Sequence, residues 1–157
     1  MGVWMDSTGT VYLNQDYFND PPPPPPPGEG HYEYVDDRVP CNIGQLREKV
    51  IHFLTNPNNE GNLPEKTLED IPLLGEYLVS KGGVSLHTSE GAPVEAIDQV
   101  HHEIAAAVII LRDSLSLKVF GRNYCELTDE QASAIRAAIP FSAYDSSINR
   151  FYRIKND

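Results

Sequence analysis

Cysteine is scarce in this sequence, and so are long apolar runs. Two cysteines in 157 residues, Cys41 and Cys125, do not make the disulfide framework of a small secreted domain. The longest apolar run, from Ile104 to Leu111, is much shorter than the roughly 20 residues that a membrane-spanning helix needs. The first residues show neither the basic nor the apolar region of a secretion signal. We therefore expect a protein of the reducing cytoplasm that has no membrane partner.

Basic residues are also few: 12 against 23 acidic residues, which gives a net charge of −11. Such a surface repels phosphate backbones and anionic lipids, so we expect neither nucleic acid nor a membrane as partner. Because an acidic surface speeds the encounter with a basic one, the expected partner is another protein with a basic surface. The acidic excess is strongest in residues 1–40, which hold seven acids and one base, Arg38.

The sequence lacks the motifs of phosphate-binding loops and metal sites. Gly82-Gly83 does not have the glycine spacing of a dinucleotide- or nucleotide-binding loop. Asp98 and His101 are spaced like half of a metal pair, but both belong to one predicted helix, and a metal site needs ligands from at least two elements. We therefore predict no metal and no cofactor.

Two chemical signals keep an enzyme as an alternative. Cys41 precedes a predicted helix start, where the helix dipole lowers a thiol pKa. A nucleophilic cysteine also needs a histidine base and an oxyanion donor, and the sequence places neither beside Cys41. His101 and His102 lie together in a long predicted helix. We predict no catalytic residue, and an enzyme would use Cys41 or the His101/His102 region.

What the sequence does have is a run of seven prolines, Pro21 to Pro27. Each proline ring fixes φ and removes an amide donor, so the run predicts a polyproline II rod about 22 Å long. The rod divides the chain into an N-terminal β-hairpin arm (1–20), a polyproline/glycine linker (21–30) and a single domain (31–157). Three roles for the rod stay open: a spacer, a ligand for an aromatic groove, or a segment packed on the protein's own tyrosines.

The remaining pattern predicts an α+β fold with three to four helices and short antiparallel strands from the N- and C-terminal segments. Apolar periodicity and capping residues predict helices over 43–54, 71–80, 94–115 and 128–139. The helix at 94–115 is apolar all round its second half, so we expect it at the centre of the core. Strands are expected in a hairpin over 3–13, at 31–35, at 84–88, at 117–120 and in the C-terminal tail.

These observations favour a non-catalytic interaction protein, a small acidic binder, inhibitor or adaptor of the kind that neutralises a toxin or blocks a host protein. Its partner-binding residues are expected in the acidic, aromatic-rich N-terminal region, with aromatic anchors and acids that steer the encounter. The predicted residues are Trp4, Tyr12, Asp16, Tyr17, Phe18, Asp20, Asp36 and Asp37. One alternative is a structural subunit of a virion or other large assembly, which includes self-association, and a second is the small enzyme described above.

Overall fold

The fold is mixed α+β, as expected, and the residues that the structure describes form three α-helices and two β-sheets. A computed structural model of the chain describes residues 1–14, 38–145 and 150–152. The strands are β1 (Gly2–Met5), β2 (Val11–Asn14), β3 (Val39–Cys41), β4 (Lys66–Ile71), β5 (Gly75–Ser80), β6 (Val84–Thr88), β7 (Ala143–Asp145) and β8 (Arg150–Tyr152). The helices are α1 (Ile43–Thr55), α2 (Val94–Phe120) and α3 (Asp129–Ala138). In these ranges no helix has the length and apolar character needed to cross a membrane.

The larger sheet has the strand order β3-β2-β1-β6-β7-β8. Strands β1, β6 and β7 are parallel neighbours, whereas β2, β3 and β8 join antiparallel. The prediction of antiparallel strands is therefore wrong for the middle of the sheet. These strands are parallel because long connections that contain helices join them. Helix α1 lies between β1 and β6 along the chain, and α2 and α3 lie between β6 and β7. Long helical crossovers of this kind let successive strands run in the same direction.

One face of the larger sheet is covered by α1 and the N-terminal half of α2. Because side chains alternate along a strand, Val3, Met5 and Leu86 point to this face and are buried in one core cluster with helix residues. Arg47 of α1 and Glu103 of α2 form a two-pronged ion pair across the helix contact, with N···O distances of 2.9 and 3.0 Å. The sheet and the two helices therefore share a single core.

The first predicted helix is confirmed, and its start follows from a local cap. The Asn42 side chain accepts a hydrogen bond from the Gly44 amide at 2.9 Å, which satisfies a free donor of the first turn. The helix ends at Asn56, a buried residue in the left-handed region with φ 37°. The Asn56 side chain then holds the next loop, donating to the Glu60 and Pro64 carbonyls at 3.1 and 3.2 Å.

The long helix continues past its predicted end to Phe120 and stops at Gly121, whose φ of 66° suits glycine. The strand predicted at 117–120 is therefore wrong. The expectation that this helix lies at the centre of the core is not confirmed, because the helix keeps a solvent-exposed side. Four of its large apolar residues are 42–50 % exposed: Ile109, Ile110, Leu117 and Val119.

The helix predicted at 71–80 is wrong, because this segment belongs to a β-hairpin made by β4 and β5. The Leu74 amide donates to the Ile71 carbonyl at 3.0 Å, and Leu73 has φ 70°. Proline at the second position and a positive φ at the third are the features of a type II turn. Pro72, which lies within the range predicted as a helix, therefore occupies the second position of a turn.

A second core cluster joins this hairpin to the C-terminal half of α2 and to α3. Val79 and Ile71 of the hairpin are buried with Leu115 of α2 and Ile135 of α3. The start of α3 matches the prediction: the Thr128 hydroxyl accepts from the Gln131 amide at 3.4 Å, and the Gln131 side chain accepts from the Thr128 amide at 3.1 Å. The second cluster therefore packs the hairpin beside the C-terminal half of α2.

The N-terminal segment differs from the predicted separate arm as far as it is described. Strand β1 lies in the interior of the larger sheet, between β2 and β6, and the Val3 side chain is fully buried. Residues 1–14 are thus part of the main core. The proline run, the linker at 21–30 and the strand expected at 31–35 lie outside the described residues.

Candidate functional site

Two of the predicted partner-binding residues, Trp4 and Tyr12, lie on the face of the larger sheet that α1 and α2 do not cover. The Trp4 ring stacks on His87 of the neighbouring strand, with ring centroids 4.2 Å apart, and the Arg38 guanidinium carbon lies 5.3 Å from the Trp4 centroid. The Tyr12 hydroxyl donates to Asp6 at 3.2 Å. The other predicted residues, Asp16, Tyr17, Phe18, Asp20, Asp36 and Asp37, lie outside the described residues.

A cavity of about 440 Å³ opens beside this stack, where the parallel strands β1 and β6 end. Its lining includes Trp4, Arg38, His87 and the hydroxyl residues Thr88 and Ser89. The carboxyl ends of parallel strands commonly border ligand sites. Trp4 and His87 are only partly exposed here and are held by the stack, so the Trp4 ring does not project as a free anchor.

Ser85 and His87 form the one hydroxyl–imidazole pair that the described residues place in hydrogen-bond contact, at 3.2 Å between Oγ and Nε2. The two residues are next-nearest neighbours on β6 and share one face of the strand. Ser85 is buried within the sheet, so its hydroxyl is poorly placed to attack a substrate. The Ser85 hydroxyl instead contacts the His87 ring that stacks on Trp4.

The residues that the enzyme alternative would use, Cys41, His101 and His102, do not have the surroundings of a catalytic nucleophile and its base. The Cys41 thiol is buried and donates to the Asn42 carbonyl at 3.4 Å, and burial raises its pKa. A reactive thiol needs the opposite shift, because the thiolate is the nucleophile. His101 is partly buried on α2, and His102 is exposed. Across the described ranges, no group of three or more histidine, cysteine, aspartate or glutamate residues is placed to hold a metal ion.

A cavity of about 690 Å³ lies between the β4–β5 hairpin and the C-terminal half of α2, and we name it the hairpin groove. One wall is the hairpin, the facing wall is α2, and the ends of α1 and α3 complete it. Its lining consists of Leu54, Thr55, Lys66, Leu68, Glu76, Tyr77, Leu78, Ser80, Leu111, Ser114, Leu115, Lys118, Ala138, Ile139 and Pro140.

Two leucines give the hairpin groove its apolar character. Leu68 and Leu78 face each other across the hairpin in the β4–β5 register, and their side chains are 60 % and 54 % exposed. The buried side of the same hairpin carries Ile71 and Val79, which pack on α3 and α2. The hairpin therefore carries apolar side chains on both faces, and only those of one face are buried in the core.

The α2 wall continues the apolar surface. Leu111 is partly buried and Leu115 is buried, so both form the lower part of the wall. Ile110 and Leu117 are 44 % and 50 % exposed, and each lies three or four residues from Ser114, which lines the groove. Residues at that spacing are neighbours on a helix surface. Ile110 and Leu117 thus flank the groove residue Ser114 on the solvent side of α2.

The charged groups of the groove are two lysines and one glutamate. The Lys66 ammonium donates to the Asn56 and Thr55 carbonyls at 2.9 and 3.4 Å, which caps the C-terminus of α1 at the rim. Lys118 and Glu76 are exposed. Burial raises the pKa of Tyr77, so its phenol is neutral near pH 7. The groove can hold apolar side chains and bond acidic groups at its rim.

Sequence reasoning missed this site entirely. Its walls come from 66–80 and 111–118, and the first of these ranges was predicted in part as a helix, over 71–80. A signal was present: the run Ile71-Pro72-Leu73-Leu74-Gly75 contains the proline and glycine of a turn, and Leu78 and Val79 follow it on alternate faces of a strand.

The comparisons with known proteins add no relative: no protein-family model, curated protein or solved structure matches this chain.

Proposed function

We propose that this chain is a non-catalytic interaction protein that binds a segment of another protein in the hairpin groove. The single observation that supports the proposal most is the exposure of Leu68 and Leu78, at 60 % and 54 %, on the wall of a cavity of about 690 Å³. Binding sites are commonly concave and lined in part by apolar side chains, which the two leucines supply here. Two leucines more than half exposed also add little to the stability of the chain itself.

The lining of the groove supports binding rather than catalysis. Its polar side chains within the described part of the chain are hydroxyls, two lysines, one glutamate and the neutral Tyr77 phenol. An acid–base pair needs two titratable groups in contact with their pKa values shifted apart. The groove instead offers leucines flanked by polar groups, which is the composition of a surface that takes apolar anchor side chains.

The earlier proposal that Trp4, Tyr12 and the acids of the N-terminal region contact a basic partner remains a separate prediction. Trp4 is held by its stack on His87, and the Tyr12 hydroxyl by its bond to Asp6. The hairpin groove does not include either residue. The alternative of a structural subunit predicts self-association, and if that contact used the groove, a second copy of this chain would occupy it. The experiment below distinguishes a second copy from another protein.

The test is a peptide selection with a matched variant. Phage that display random 12-residue peptides are selected on the immobilised full-length chain, and each recovered peptide is then measured on the double variant Leu68→Ser/Leu78→Ser. Both side chains are mostly exposed, so we expect the free energy of unfolding of the double variant to differ from that of the parent by no more than about 0.5 kcal/mol. Leu73→Ser is the control, because Leu73 is 58 % exposed but does not line the groove.

We expect recovered peptides to lose at least about ten-fold in affinity on the double variant, since two apolar anchors contribute more than 1.4 kcal/mol. On Leu73→Ser their affinity should be unchanged. Equal binding to the parent and the double variant would contradict the proposal. Concentration-dependent dimers that the double variant abolishes, with no groove-dependent peptide recovered, would assign the groove to a second copy and overturn the proposed partner.

A further inference from the structure

The charge of the hairpin groove is opposite in sign to that of the whole molecule. The chain has a net charge of −11, whereas the groove lining has two lysines, Lys66 and Lys118, and one acid, Glu76. From this complementarity we infer that the occupant of the groove is a short acidic segment, with apolar side chains that enter between the walls and carboxylates that meet the lysines. The inference rests on the proposed function and specifies its partner. It differs from the basic partner that the total charge predicts.

Lys66 presents its charge in a fixed position. Its ammonium donates to two backbone carbonyls of the α1 C-terminus, Thr55 and Asn56, at 3.4 and 2.9 Å. Because carbonyls carry only partial negative charge, they orient the ammonium without neutralising it. An ammonium has three donors, so one remains for a ligand carboxylate. The groove thus holds one positive charge whose position is fixed by two hydrogen bonds.

Lys118 supplies the second charge, from the α2 wall. It lies in the last turn of α2 and is exposed, and its side chain lines the groove together with Leu115 and Ser114. A lysine in the last turn also interacts favourably with the helix dipole, which accounts for its presence on the helix. The dipole accounts for a lysine in the last turn, but it does not require that lysine to line the same groove as Leu68 and Leu78. The position of Lys118 in the groove is therefore what indicates a ligand.

The size of the groove limits the occupant to a short segment. The α2 wall from Leu111 to Lys118 spans roughly 10 Å at 1.5 Å per residue. The facing strand, from Glu76 to Ser80, spans roughly 13 Å at about 3.3 Å per residue. This length accommodates three or four extended residues or two turns of helix. Such a segment can place two apolar side chains between the walls and acids at the rim.

The total charge of the protein adds a kinetic consequence. An acidic segment is repelled by the −11 chain at long range and attracted by the two lysines at short range. Added salt screens the long-range repulsion and should speed association, whereas it weakens the contacts with the two lysines and should speed dissociation. A basic segment would show slower association as salt is added.

The experiment that tests this inference determines the net charge of the selected peptides from their sequences. From the selection on the full-length chain, only peptides that lose affinity on Leu68→Ser/Leu78→Ser are sequenced and compared with the unselected library. We expect aspartate and glutamate to be enriched among these groove-dependent peptides. Three of them, labelled with fluorescein, are then titrated by anisotropy against the full-length chain, Lys118→Gln and the control Lys49→Gln, an exposed lysine of α1 outside the groove.

Lys118→Gln should weaken the labelled peptides about 1.5- to 5-fold, the range for an exposed ion pair, and Lys49→Gln should leave their Kd unchanged. Groove-dependent peptides that are neutral or basic, or that bind Lys118→Gln as well as the parent, would overturn this inference while leaving the proposed function in place. If no recovered peptide depended on the two leucines, the proposed function itself would fail, and the two failures are therefore distinguishable.

Discussion

At the scale of single residues, burial decides what Cys41 can do. Its thiol is enclosed beside α1 and its pKa is raised by desolvation, whereas Cys125 is exposed. Because alkylation requires an accessible thiolate, we expect iodoacetamide to label native Cys125 faster than Cys41 by about ten-fold or more. Mass spectrometry of the two cysteine peptides over time measures the ratio, and Cys125→Ser isolates the slow site. Rapid labelling of Cys41 in the folded protein would revive the enzyme alternative.

The Asp6 carboxylate organises the turn between β1 and β2. It accepts from the Thr8 hydroxyl at 2.6 Å, from the Thr8 and Thr10 amides at 2.9 and 3.0 Å, and from Tyr12 at 3.2 Å. These bonds, first of all the one from the Thr8 side chain, lower the pKa of Asp6 below 3.8. A carboxylate whose folded pKa is depressed stabilises the fold above its unfolded pKa and loses that contribution as the pH falls through its folded pKa.

Asp6→Asn should therefore be less stable than the parent near neutral pH, and the difference should shrink as the pH falls from about 5 to about 2. Urea denaturation at a series of pH values measures the free energy of unfolding of both proteins. Taking the difference removes the titration of the other carboxylates, which both proteins share. A difference that stays constant over this range would show that the ionised carboxylate is not what stabilises the turn.

At the scale of elements, the turn of the β4–β5 hairpin has a residue that suits it poorly. Leu73 has φ 70° and is 58 % exposed. The left-handed region costs a leucine roughly 1 kcal/mol, whereas asparagine tolerates it. Leu73→Asn should therefore raise the free energy of unfolding by about 0.5–1 kcal/mol, measured as a shift in the urea midpoint. Leu78→Asn, on the adjoining strand, is the control and should give no gain. A decrease for Leu73→Asn would contradict the type II turn.

The same hairpin shows where local sequence patterns stop being informative. Leu74, Tyr77 and Leu78 fit the spacing of a helix, and Pro72 fits a first helical turn as well as a β-turn. What decides the structure is the pairing of 75–80 with 66–71, in which Glu69 faces Tyr77. By contrast, the starts of α1 and α3 were predictable, because the Asn42 and Thr128 caps act within three residues.

At the scale of the whole molecule, the α+β class was predictable but the arrangement of the sheet was not. The parallel pairing of Trp4 with His87 joins residues separated by most of the chain, and no local period records such a contact. Total charge was a poor guide to the charge of the hairpin groove for a similar reason. The acids are spread along the sequence, whereas Lys66 and Lys118 reach one groove only after the hairpin packs beside α2.

The central claim is that a partner occupies the hairpin groove, and site-specific photo-crosslinking in the cells that make the protein tests it most directly. Benzoylphenylalanine is placed at Ser114, on the α2 wall of the groove, or at Ser133, which is also exposed but lies on α3 outside the groove. We predict a discrete crosslinked product from position 114 and none from position 133. In the Leu68→Ser/Leu78→Ser background the product should disappear. Equal crosslinking from both positions, or a product from position 114 that persists without the two leucines, would contradict the account.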